Sequence, residues 1–191
     1  MNLPNKLTVM RLIMTPFFLA TLIMDFPFHY LVALLIFILA SLTDMADGKI
    51  ARSRNLITDF GKFLDPLADK MLTTAAFLGF IFLKIGHGTV WIAFIVLIRE
   101  FLITSLRLVS AGKGKVIAAN IWGKAKTVSQ MVAIIVAIFG QFLLSVLEPN
   151  TALNAAVVAA TDVLLWLSAV LTLVSGTVYV IENAKFIDPK K

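Results

Sequence analysis

Apolar residues along this chain fall in six long runs separated by short polar or turn-forming breaks. The first run extends from about Leu7 to Met24. The second begins near Tyr30, is wholly apolar to Ala40, and passes into the polar stretch SLTDMADGKIAR. The third follows Asp65 to about Ile85, the fourth Thr89 to Ser110, the fifth Lys126 to Leu147 and the sixth Ala155 to Ile181. Turn or helix-stopping residues mark several breaks: AspPheProPhe at 25–28, GlyHisGly at 86–88, GlyLysGlyLys at 112–115 and GluProAsn at 148–150. A spanning helix needs about 20 mostly apolar residues. The pattern therefore predicts an all-α, polytopic membrane protein with six transmembrane helices.

Composition agrees. The 191 residues are 60% hydrophobic and 15% charged, against roughly 45–50% apolar and about 25% charged in soluble domains. No Pro-, Ser- or Gly-rich linker divides the chain, so residues 1–191 read as a single integral-membrane domain. Cysteine is absent, which excludes disulfide scaffolds, thiolate metal sites and cysteine nucleophiles. The net charge of +6 would suggest nucleic acid in a soluble chain; here it fits basic cytoplasmic loops beside anionic lipid, with no nucleic-acid partner. If the six spans alternate, fifteen of the seventeen lysines and arginines fall on one side. Lys84 is near the opposite surface, and Arg99 lies inside span four. The positive-inside rule then puts both termini in the cytoplasm. A cleavable signal peptide is the competing reading of the first run, but it ends in MetAspPhePro where a small-residue cleavage site is needed.

Chemistry concentrates between Asp44 and Asp69, DMADGKIARSRNLITDFGKFLDPLAD. Asp44, Asp47, Gly48, Ala51 and Arg52 share one helical face, and so do Gly61, Asp65 and Asp69. Two short connected helices would point four carboxylates at one another, whereas Asp59, off the pattern, reads as a solvated loop charge. An isolated carboxylate at membrane depth costs ~2.5–3.5 kcal/mol, so something positive must accompany these acids. A hard-oxygen donor set suits Mg²⁺ or Mn²⁺, and two such ions would form the clamp of phosphoryl-transfer sites. Calcium fits the donors, but EF-hand spacing is lacking. Gly48 and Ala51 leave room for a ligand, although small residues in membrane helices equally serve helix packing. Arg52 offers a two-pronged contact to phosphate.

Asp44-x-x-Asp47-Gly48-x-x-Ala51-Arg52, eight residues, then Gly61-x-x-x-Asp65-x-x-x-Asp69 resembles the complete signature of the CDP-alcohol phosphotransferases. The resemblance implies a six-helix membrane enzyme, usually a homodimer, that joins an alcohol to the phosphatidyl group of a CDP-linked lipid and releases CMP. It also implies that Asp44, Asp47, Asp65 and Asp69 hold the divalent ions and that Asp69 is the general base. Gly48, Ala51, Arg52 and Gly61 would line the CDP-lipid site, with Thr58 a weaker candidate.

The N-terminus, AsnLeuProAsnLysLeuThrValMetArgLeuIleMetThrPro at 2–16, resembles the opening typical of phosphatidylglycerophosphate synthases, as do ArgGluPheLeuIleThrSerLeuArg at 99–107 and GlyLysAlaLysThr at 123–127. The implied partners are CDP-diacylglycerol and sn-glycerol 3-phosphate, at the cytoplasmic face of the cell membrane. An anionic acceptor needs cations, and Arg99, Arg107, Lys124 and Lys126 are expected to form its phosphate pocket. Positive-inside topology alone would also explain the two lysines, and Arg99 with Glu100 would also serve as a structural pair. Alternatives are the same chemistry with inositol phosphate, serine or phosphatidylglycerol, a small metal or ion transporter, and a non-catalytic lipid-binding protein. His29 and His87 are expected at the surface. Trp91, Trp122, Trp166, Tyr30 and Tyr179 are expected to be interface anchors.

Overall fold

Each apolar run is the middle of a longer α-helix. The computed structural model describes the backbone of residues 3–53, 59–112 and 121–183, with side chains except at 3–4, 44–53, 59–63, 65–66 and 69. The helices are α1 (Leu3–Ile23), α2 (His29–Ser53), α3 (Asp59–Leu83), α4 (Thr89–Gly112), α5 (Ile121–Val146) and α6 (Thr151–Asn183). Run length underestimates them because a helix propagates through charged residues as long as each adds its hydrogen bond. Thus α5 starts five residues before Lys126, and the polar stretch after Ala40 is the end of α2 rather than a connection. The four acids ride on the ends of two long helices, not on two short ones, and Asp59 opens α3. Among the described residues, Asn5–Ile23, Ile121–Val146 and Thr151–Asn183 are long and apolar enough to cross a membrane; His29–Thr43 and Lys70–Leu83 are shorter apolar stretches.

Packing closes the helices into a ring, in the order α1, α2, α5, α6, α4, α3 and back to α1. The described connections, at 24–28, 84–88 and 147–150, all lie at one end, called here the hairpin end. Its core is apolar: Phe18, Phe37, Phe80, Ile92, Ile138 and Leu165 are fully buried. Toward the other end more of the buried residues are polar, among them Asn5, Thr8, Arg11, Ser41, Lys126, Gln130, Thr172 and Ser175. Burying polar groups costs free energy unless they are satisfied, so this division marks where a site lies. The exterior carries large apolar side chains; Phe17, Phe82, Phe101 and Leu108 are each more than 60% exposed, as a lipid-facing surface requires.

Local signals fix the hairpin end. Asn150 caps α6 by accepting from the amides of Ala152 (2.9 Å) and Leu153 (3.3 Å). Gly86 and Gly88 take φ of 76° and 72°, which side chains rarely adopt. Between them, His87 donates its amide to Asp162 Oδ1 (2.6 Å), sets its ring Nδ1 2.6 Å from Oδ2, and accepts from Trp166 Nε1 (3.1 Å). His87 is thus exposed but tied down. His29, by contrast, is partly buried, its ring 3.9 Å from that of Tyr30.

α5 packs closely on α6 at Gly140, where a Cβ would lie 2.5 Å from Val157 Cγ1. Valine has essentially one rotamer in a helix and cannot turn aside. Gly140→Ala is therefore expected to cost about 1–3 kcal/mol, lowering the unfolding midpoint in detergent by roughly 2–10 °C. Adding Val157→Ala to that variant should recover most of the loss.

Candidate active site

The last turns of α2 bring Asp44, Asp47, Gly48, Ala51 and Arg52 to the end of the ring opposite the hairpins, and the first turns of α3 bring Gly61, Asp65 and Asp69 to the same end. Thr58 lies outside the described residues. Both helices pack on α1. Among the described residues no group of three His, Cys, Asp or Glu forms a metal site; the side chains of the four motif acids are not among them. As a donor set, four carboxylates without sulfur or imidazole fit hard divalent ions, Mg²⁺ or Mn²⁺.

One residue beyond Asp69 a second cluster begins. Lys70 donates to Thr104 Oγ1 at 2.6 Å and stands 3.9 Å from Glu100 Oε2. Glu100 also accepts from Arg99 Nη1 at 3.0 Å and from Lys126, whose side chain is 7% exposed. Arg99 Nη2 reaches Ser175 on α6 at 2.7 Å, and its stem lies over Gly176, where a Cβ would meet Arg99 Cγ at 3.0 Å. Three cations thus surround one carboxylate. Four helices meet here, with Lys70 from α3, Arg99 and Glu100 from α4, Lys126 from α5 and Ser175 from α6. Beside the cluster, Gln130 Nε2 donates to Thr172 Oγ1 at 3.1 Å.

Of the four cations expected to form one pocket, Arg99 and Lys126 meet through Glu100. Arg107, two turns further along α4, donates from Nε to the Tyr179 hydroxyl at 3.0 Å, with its guanidinium 5.5 Å from the ring centre. Tyr179 is 2% exposed, so it is a buried partner of Arg107, not an interface anchor. Lys124 does not join. Two residues from Lys126 on a helix is about 200° around the axis, and Lys124 lines an exposed groove between α5 and α6 with Val128 and Leu164. Lys70 is the residue that topology counting missed; its one signal in the sequence was a charge directly preceding an apolar helical run.

The profile of the CDP-alcohol phosphatidyltransferase family matches residues 1–174. The chain is 38% identical to the CDP-diacylglycerol–glycerol-3-phosphate 3-phosphatidyltransferase of Bacillus subtilis (strain 168), covering 95% of both proteins. It is 34% identical to the protein of the same name from Rickettsia bellii (strain RML369-C), over 93% of both. It is also 38% identical to a probable phosphatidylglycerophosphate synthase of Mycobacterium tuberculosis (strain ATCC 25618 / H37Rv), over 94% of this chain and 80% of that one.

Proposed function

Because this chain belongs to the CDP-alcohol phosphatidyltransferase family, we propose that it transfers the phosphatidyl group of CDP-diacylglycerol to sn-glycerol 3-phosphate, giving phosphatidylglycerophosphate and CMP. The relatives named above are phosphatidyltransferases and a probable phosphatidylglycerophosphate synthase, which favours transfer over the transporter alternative. The observation that favours a phosphorylated acceptor is the gathering of three cations around Glu100, which begins one residue beyond Asp69. Arg99, Lys70 and Lys126 together offer charge-assisted donors of the kind that hold a phosphate monoester.

In this reading Arg99, Lys126 and Lys70 hold the acceptor phosphate, while Arg107 stands toward the mouth of the site. Asp69 takes the proton of the attacking hydroxyl. The oxygen bonds to the phosphorus that carries the diacylglycerol, and the bond from that phosphorus to the oxygen bridging to CMP breaks. Arg52 contacts the CDP phosphates, with Gly48, Ala51 and Gly61 leaving room for the nucleotide and Thr58 a weaker candidate for the same contact. Asp44, Asp47, Asp65 and Asp69 would hold two Mg²⁺ or Mn²⁺ ions, whose chemistry when bound is to neutralise the diphosphate and the departing CMP. The remaining rate enhancement comes from positioning and fixed charge. The six helices each have at least 21 residues, about 31 Å or more at 1.5 Å per residue, which supports six spans. Both termini and the active site face the cytoplasm in this account, and the enzyme works as a homodimer in the cell membrane.

An acceptor panel tests the specificity. Purified protein with CDP-diacylglycerol should release CMP with glycerol 3-phosphate at least tenfold faster than with inositol phosphate, serine or phosphatidylglycerol. An equal or faster rate with any of these would overturn the choice of acceptor.

A further inference from the structure

The polar residues buried on α1 play no part in this scheme. Asn5, Thr8, Arg11 and Thr15 recur every three or four residues, so they share a face, and all are buried, Arg11 to 2% exposure. In a mostly apolar helix a buried guanidinium is costly without an anionic companion. None of Asn5, Thr8 and Arg11 is without a partner.

Helix register indicates what this face meets. The rings of Phe18 on α1 and Phe37 on α2 pack with centroids 5.4 Å apart. These helices run antiparallel with the same rise per residue. Arg11 and Asp44 are each seven residues from that contact, and Thr8 and Asp47 each ten, so the two pairs lie level. Seven residues is close to two turns, so Arg11 keeps the face of Phe18 and position 44 keeps that of Phe37. α3 runs parallel to α1, with Gly79 against Leu22 and Leu19. Eleven residues back from Leu22 and from Gly79 are Arg11 and Ala68, the neighbour of Asp69; fourteen back are Thr8 and Asp65. One polar face of α1 is therefore level with all four motif acids.

We propose that Asn5, Thr8 and Arg11 form a third wall of the carboxylate site, with Arg11 a positioning residue that keeps the acids of α2 and α3 in the arrangement a divalent ion needs. The inference rests on the reading of those acids as metal ligands. Four carboxylates brought together repel one another. A guanidinium fixed on a third helix offsets that repulsion, and its planar fork sets carboxylate orientation as a lysine cannot. Outer-shell partners of metal sites typically account for about 10–100-fold in metal affinity or activity. Thr15 is the internal contrast, since its hydroxyl donates to the Arg11 carbonyl at 2.9 Å and it lies a turn deeper.

Thermal unfolding of the purified full chain, titrated with Mn²⁺ alone, tests this without any turnover. Wild type should be stabilised by Mn²⁺. Arg11→Lys, which keeps the charge and loses the fork, should need about tenfold more Mn²⁺ for the half-maximal rise. Thr8→Val should shift the same way, by about tenfold, and it carries the test if Arg11→Lys does not fold. Thr15→Val should titrate like wild type. In steady state the first two variants should lose kcat with KM for glycerol 3-phosphate unchanged. Identical Mn²⁺ titrations in all four proteins would overturn the wall, as would a change in Thr15→Val as large as that in Thr8→Val. A wild type indifferent to both Mn²⁺ and Mg²⁺ would overturn the metal reading, and the wall with it.

Discussion

Replacing Asp69 by Asn should lower turnover by about 10²–10⁴-fold, the range associated with loss of a positioned general base. The amide keeps the shape of the side chain but cannot accept the hydroxyl proton, and it is a weaker ligand for a hard cation. Position 69 is on α3 immediately before Lys70, whose bond to Thr104 ties α3 to α4, and the variant leaves that contact intact. Its unfolding midpoint should accordingly stay near that of wild type, and CDP-lipid binding should survive. Single-turnover measurement of CMP release separates chemistry from binding and product release. If Asp69→Asn turned over within tenfold of wild type, the general-base role would belong to another group.

Lys126→Met should raise KM for glycerol 3-phosphate by about 10–100-fold, as expected for loss of a charge-assisted contact of roughly 1.5–3 kcal/mol. The loss is not a simple unpairing. Glu100 retains Arg99 at 3.0 Å and Lys70 at 3.9 Å, so Glu100 is not orphaned, and one of the cluster's three cations is lost. If the cluster binds phosphate equally in ground and transition states, kcat should change little. Glycerol, which lacks the phosphate, gives the control: supplied as a poor acceptor, it should be used equally by wild type and variant. Lys126→Arg should recover part of the affinity. An unchanged KM with a lowered unfolding midpoint would make the Lys126 to Glu100 pair purely structural.

Spacing along the chain made part of this site legible and left part hidden. The six apolar runs gave the number of helices, because apolar length is a local property. Helix ends were missed where helices continue through charge, as α2 does to Ser53 and α5 does from Ile121. The eight positions of the acidic motif were readable because they repeat at helical spacing on two segments close in sequence. The surroundings of Lys70 and Lys124 were hidden for the opposite reason. Their roles depend on which helix lies against which flank, and positive-inside counting treats all loop-proximal cations alike. Lys126 turns inward to Glu100 and Lys124 outward, a distinction set by how α5 is rotated against α4 and α6. Tyr179 looked like a membrane-interface aromatic until packing placed it under Arg107. The polar face of α1 was present in the spacing of Asn5, Thr8, Arg11 and Thr15, but its meaning depends on the register with α2 and α3.

The most direct test follows label from radioactive sn-glycerol 3-phosphate into chloroform-soluble lipid while CMP is measured in the same reaction. Purified protein with CDP-diacylglycerol and Mg²⁺ or Mn²⁺ should form labelled phosphatidylglycerophosphate and CMP in equal amounts, and chelation of the divalent ion should stop both. CMP release without incorporation of label, or incorporation that persists after complete chelation, would contradict the account.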